Sequence, residues 1–132
     1  MDNAATSHGV QQGGLPAPIG PYSPAMIFDR LVFVSGQGAT DPETGALAGA
    51  DIETQTEQVL KNIRTVLNAA GSDLDRVLRC GVFLVDMNEF PRMNEVYGRM
   101  FGSHRPARTT VQVSALPVPG LRVEIDAVAY RL

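Results

Sequence analysis

Two charged residues on strand-like segments carry the clearest chemical potential in this chain. Arg108 follows a proline and enters a β-branched run in Pro106-Ala107-Arg108-Thr109-Thr110-Val111-Gln112-Val113. The rigid lead-in holds its guanidinium in place, and that planar, permanently charged fork matches the geometry of a carboxylate. Glu124 lies in an alternating segment. Leu121, Val123, Ile125, Ala127 and Ala129 point one way; Arg122, Glu124, Asp126, Val128 and Tyr130 point the other. Tyr22, Ser35, Asn94 and Thr110 add hydrogen-bonding groups. The set has no covalent nucleophile. It suits a hydrolysis in which a small carboxylic acid is anchored and a water is positioned beside it. Each member also has a plainer reading. Arg108 reads equally as a surface salt-bridge arginine, Glu124 as a solvent-facing residue, Asn94 as an exposed mid-helix amide, and Tyr22 as a packing aromatic.

Other chemistries are poorly served. The two histidines are His8, in a segment without periodicity, and His104, on a turn. Neither has an evident serine or cysteine partner, and there is no GxSxG elbow. One cysteine, Cys80, excludes an internal disulfide, and the separated His and Cys residues have no zinc-ligand spacing. Cys80 sits in an apolar run and reads as a small core residue. Gly36 and Gly38 do not complete a phosphate loop. No structural or catalytic metal is therefore expected. A net charge of −3, with no clustered basic face, argues against nucleic acid as a partner. No apolar run spans a bilayer and no leader pattern opens the chain, so a cytoplasmic location is expected.

The 132 residues fit one domain with a real core. Met1 to Ala17 reads as a flexible tail, and the domain proper as residues 18–132. Pro18 to Pro24 is a stiff, extended entry. Ala25–Phe28 and Leu31–Ser35 read as strands joined by a two-residue Asp29-Arg30 turn. Gly36 to Gly45 forms a loop. Ile52, Thr56, Val59, Ile63, Val66 and Ala70 then trace a helical stripe, with Asp51 as N-cap and Gly71 as stop. Val77–Val85 reads as a buried strand. A second helix runs from about Glu89 to Phe101, with Asn88 as its cap and Pro91 in its first turn; Phe90, Met93, Tyr97 and Met100 form its apolar stripe. The Arg108 strand follows, up to about Ser114, and the alternating strand closes the chain. The order strand-strand-helix-strand-helix-strand-strand implies an α+β, two-layer domain, a mixed sheet with two helices on one face. The other face stays open and asks for oligomerisation.

Several separated motifs resemble the reactive intermediate deaminase (Rid, or YjgF) family. They are Gly20-Pro21-Tyr22-Ser23, Val34-Ser35-Gly36-Gln37, Asp41-Pro42-Glu43-Thr44-Gly45, Pro106-Ala107-Arg108-Thr109-Thr110-Val111 and Val123-Glu124-Ile125-Asp126-Ala127-Val128-Ala129. The likeness runs in order from about Pro18 to Leu132. It implies a chorismate-mutase-like fold and a homotrimer with three clefts between neighbouring subunits. It also implies hydrolysis of enamine and imine acids, such as 2-iminobutanoate or 2-aminoacrylate, to 2-oxo acids and ammonia without a cofactor. Arg108 matches the family arginine that binds the substrate carboxylate, and Glu124 the glutamate near the attacking water. Tyr22, Ser35, Gly36 and Asn94 match positions that shape the cleft. Thr110 stands where the best-studied subgroup has cysteine, which bears on the range of substrates. The alternatives are a deaminase of another enamine acid, of the 2-aminomuconate or 3-aminoacrylate type, and a non-catalytic trimeric module that binds small carboxylates. The endoribonuclease label attached to some relatives fits the acidic balance poorly.

Overall fold

The structure is a computed structural model, and it describes residues 6–10, 14–15 and 17–132. Its strands are β1 (Ser7–Gly9), β2 (Ala25–Phe28), β3 (Leu31–Gln37), β4 (Val77–Leu84), β5 (Ala107–Gln112) and β6 (Val123–Tyr130). Its helices are α1 (Ile52–Ala69), between β3 and β4, and α2 (Phe90–Phe101), between β4 and β5. The six strands form one mixed sheet in the order β1-β2-β3-β6-β4-β5. Only β4 and β5 are parallel. Parallel neighbours need a crossover, and α2 supplies it. The α+β class and the two helices expected from the sequence are both present.

The helix α1 forms where the stripe places it. The Asp51 carboxylate accepts from Thr54 N–H at 2.9 Å, satisfying one orphan amide of the first turn. At the other end Gly71 takes φ +83°. Gly71 N–H and Ser72 N–H then reach back to Asn68 O and Leu67 O at 3.2 and 2.8 Å, the reversal that only a left-handed residue allows cheaply. Ile52, Val59, Leu60, Ile63, Val66 and Leu67 are fully buried against the sheet. Each such side chain contributes about 1.5–3 kcal/mol by leaving water. Truncating Leu60 to alanine would cost about 2–5 kcal/mol.

β6 is a central strand. Val123, Ile125, Ala127 and Ala129 are buried under the helices, together with Ile27, Val32, Val34, Val82 and Leu84 from the neighbouring strands. The opposite sheet face is open. Met26, Phe28, Leu31 and Phe33 of β2 and β3 lie on it, and Phe28 and Phe33 are 46% and 44% exposed. An uncovered face of this kind is what two helices on one side of the sheet implied.

Three expectations need correcting. Ser7–Gly9 is not a loose tail: it pairs antiparallel with β2, and Val10 is buried in the core. Small polar residues give no period-2 signal, and the free edge of β2 decides the pairing. The rest of that expectation, on residues 1–5, 11–13 and 16, lies outside the described residues. Asn88 is not the cap of α2. A single 3₁₀ turn, Met87–Glu89, precedes the helix, and Asp86 caps it by accepting from Asn88 N–H at 2.9 Å. Glu89, at the start of α2, instead pairs with Arg122 at 2.7 Å. Finally, β5 ends at Gln112 rather than Ser114.

Candidate active site

The sequence-predicted residues fall into two groups. The first is Tyr22, Ser35, Gly36 and Glu124, which line one cavity of about 720 Å³ together with Pro18, Ile19 and Leu121. Its floor is made by an irregularity in β3. Val34 opposes Ala127 and Gln37 opposes Ile125, so Ser35 and Gly36 together face the single residue Asp126. This is a β-bulge, one extra residue that bends the strand and re-aims its side chains. The inward parity of Val32 and Val34 therefore passes to Gln37, which is buried. Ser35 is pinned at the bulge: its hydroxyl donates to Ser23 O at 2.7 Å and its N–H to Pro24 O at 2.9 Å. Tyr22 closes a small loop on itself, its hydroxyl accepting from Ile19 N–H at 3.3 Å. Two buried amides hold the cavity walls. Gln55 donates to Gly49 O and Gly120 O and accepts from Arg122 N–H. Asn62 donates to Gly38 O and Thr40 O.

The second group is Arg108, Asn94 and Thr110, at β5 and α2. The Arg108 guanidinium donates to Asn94 Oδ1 at 2.7 Å. It also lies against two aromatic rings, Tyr97 at 4.7 Å and Phe90 at 5.5 Å from the ring centroids. No carboxylate among the described residues forms an ion pair with it. Thr110 follows two residues on, on the same side of the strand, and both are half-buried.

The groups are far apart in one chain. β5 and β6 are separated by β4; Arg108 aligns through Cys80 with Ala127, whereas Glu124 aligns with Phe83. Two strand spacings and three residues of offset put the Cα atoms about 14 Å apart. Glu124 also projects from the open face, opposite to Val123 and Ile125, while Arg108 reaches α2 on the helix side. A single protomer cannot bring both side chains to one small molecule.

Comparison with known proteins gives this arrangement its context. The family model described as Endoribonuclease L-PSP matches residues 13–131. The chain belongs to this family, also called the Rid or YjgF family. A RutC family protein of Pyrococcus horikoshii is 49% identical over 116 residues, spanning 88% of this chain and 91% of its own. The 2-iminobutanoate/2-iminopropanoate deaminase of Homo sapiens is 45% identical over 116 residues, spanning 88% of this chain and 84% of its own. The crystal structure of Escherichia coli TdcF with bound serine has a TM-score of 0.88 at 34% identity, covering 95% of this chain and 99% of that one.

In this Rid-family chain the electrostatics of the two groups are complementary. Burial pushes the Glu124 carboxyl above its usual range, and the negative charge of Asp126 two residues on adds to the effect. Asp126 is itself held by Gly81 N–H at 2.8 Å. A carboxyl that binds a proton more tightly than usual is a better base. Beneath Arg108, burial raises the Cys80 thiol and the Tyr97 phenol, so both stay neutral and neither competes for the guanidinium. Among the described residues no cluster of three or more His, Cys, Asp or Glu side chains could hold a metal. No helix is long and apolar enough to cross a membrane.

Sequence reasoning missed the bulge, the role of Asp126, and the contact of Phe90 and Tyr97 with Arg108. The bulge has no local signature. By period alone Phe90 and Tyr97 read as members of an apolar stripe, although their i and i+7 spacing around Asn94 at i+4 puts all three on one line of α2.

Proposed function

We propose that this chain is a hydrolytic deaminase of reactive enamine and imine acids, such as 2-iminobutanoate or 2-aminoacrylate. It works in clefts between the subunits of a homotrimer. The observation that carries the reading is Arg108: a rigidly held guanidinium with no ion-pair partner among the described residues is an anion site awaiting a carboxylate. The separation of Arg108 from Glu124 supports the trimer, since a neighbour's Arg108 group would complete the Glu124 cavity, and the open apolar sheet face supplies a surface for it. The human relative named as a 2-iminobutanoate/2-iminopropanoate deaminase and the TdcF structure with bound serine point to the same class of small carboxylic acid.

In this mechanism the substrate carboxylate binds Arg108 and the imine carbon faces a water beside Glu124. Glu124 takes a proton from the water as its oxygen bonds to the carbon of the protonated imine, whose nitrogen becomes a neutral amine. The proton passes from Glu124 to the amine, the new hydroxyl gives its own proton to Glu124 as the carbon–nitrogen bond breaks, and ammonia leaves a 2-oxo acid. No cofactor is needed, because the imine carbon is already electrophilic. Thr110 beside Arg108 presents a hydroxyl and a methyl to the substrate side chain and bears on its size.

A pyridoxal-dependent threonine dehydratase releases 2-iminobutanoate, and 2-oxobutanoate formation can be followed with and without this protein. Acceleration by wild type and not by Arg108→Ala is the expected result. No acceleration by a folded, oligomeric wild type on 2-imino or 3-amino enamine acids would overturn the reading and leave a carboxylate-binding module.

A further inference from the structure

We propose that Phe90 and Tyr97 are positioning residues: their rings clamp Arg108 so that the outer edge of its guanidinium is presented as an anion fork. Phe90, Asn94 and Tyr97 occupy i, i+4 and i+7 of α2, which brings three side chains of one helix onto one arginine. The guanidinium carbon lies over both rings, 4.7 Å from the Tyr97 centroid and 5.5 Å from that of Phe90, and Asn94 Oδ1 takes one N–H. Guanidinium is weakly hydrated and stacks on aromatic faces, which ammonium does less well. What remains free is a set of N–H groups in one plane. A fork fixed in advance loses little freedom when a carboxylate arrives.

The helix bearing the clamp is itself tied down. The Glu89–Arg122 pair at 2.7 Å joins the start of α2 to the residue preceding β6, and Tyr97 packs against Phe101 with centroids 4.7 Å apart. The Tyr97 hydroxyl is buried and has no hydrogen-bond partner among the described residues. A buried, unpartnered hydroxyl costs stability and does not add to it. The ring is therefore the working part, and Tyr97→Phe keeps it.

This inference rests on the proposed carboxylate site, and the experiment separates the two. The variants are Tyr97→Leu, Phe90→Leu and Tyr97→Phe. Their first readout is the NMR shift of the Arg108 side-chain protons, which ring currents displace whenever the guanidinium lies over a ring. The displaced signals are expected in wild type and Tyr97→Phe and lost in Tyr97→Leu; identical signals in all three overturn the clamp without reference to any substrate. The second readout is the Kd for 2-oxobutanoate and the KM for 2-iminobutanoate. Both are expected to rise about tenfold in Tyr97→Leu and Phe90→Leu with kcat nearly unchanged, and to stay at the wild-type value in Tyr97→Phe. A purely structural role would lower Tm and leave KM alone, which also overturns the clamp. Displaced Arg108 signals with no 2-oxobutanoate binding by wild type would uphold the clamp and sink the deaminase reading.

Discussion

Gly36 on β3 lies directly beneath the carboxylate of Glu124 on β6, and a Cβ at position 36 would overlap Glu124 Oε1. The bulge brings the two strands' residues together in this way, and the absent side chain leaves room for the carboxylate to lie over the backbone. Gly36→Ala is expected to push Glu124 out of place. Stability should fall by about 1–3 kcal/mol from overpacking, and kcat/KM by about tenfold or more. Thermal melts and steady-state kinetics on the same preparation check both; a fully active Gly36→Ala would mean that the position of Glu124 is unimportant.

The Glu124–Asp126 pair predicts a pH dependence. Glu124 must be ionised to accept a proton, and burial with the Asp126 charge raises its pKa. The acid limb of the rate profile should therefore lie above the range of an ordinary glutamate. Asp126→Asn keeps an oxygen for Gly81 N–H but removes the charge, so the limb should move to lower pH. Stability follows the same sign. A raised folded pKa means that the folded protein holds the proton more tightly than the unfolded chain. The benefit is complete below the unfolded pKa and is lost as pH rises through the folded one. Glu124→Gln should thus melt higher than wild type at neutral pH, and the gap should close in acid. A Tm difference independent of pH would refute this.

Arg108→Ala removes a charge-assisted fork, and about 2–4 kcal/mol of transition-state binding should go with it, roughly 30- to 1,000-fold in kcat/KM. Arg108→Lys is not expected to restore activity, because a point charge neither stacks on Tyr97 nor bridges both carboxylate oxygens. Full activity in the lysine variant would show that charge alone suffices.

A composite cleft predicts complementation. Arg108→Ala and Glu124→Gln subunits, each inactive alone, should regain activity after being unfolded together and refolded as mixed oligomers. Some clefts then receive Glu124 from one subunit and Arg108 from its neighbour. Mixed oligomers with no activity, confirmed by mass spectrometry, would place both groups' work within one subunit.

Gln55 is a stability test of the cavity walls. It is fully buried and serves Gly49 O, Gly120 O and Arg122 N–H at 3.0, 2.9 and 2.7 Å. Gln55→Leu leaves three backbone groups without partners and should cost about 3 kcal/mol or more by urea denaturation. A loss below about 1 kcal/mol would show that the loops satisfy those groups in another way.

Local pattern was enough for much of the architecture. The stripe from Ile52 to Ala70, bounded by Asp51 and Gly71, is a helix because burial at a 3.6-residue period and end-capping both act within one segment. The alternation of Val123 to Tyr130 is likewise a half-buried strand, and its polar face foretold an open sheet side. Arg108 and Glu124 could be marked as candidates by type and setting, but their expected roles came from the family resemblance. Tertiary structure decided what depends on partners distant in sequence. The pairing of β3 with β6 creates the bulge at Ser35 and Gly36, and the edge of β2 recruits Ser7–Gly9. Packing of α2 over β5 turns Phe90 and Tyr97 from core aromatics into neighbours of a cation. The strand order sets Arg108 and Glu124 two strands apart, and the register sets them on opposite faces. Periodicity reports which face a residue takes within its own element, whereas register and strand order determine which residues of other elements it meets.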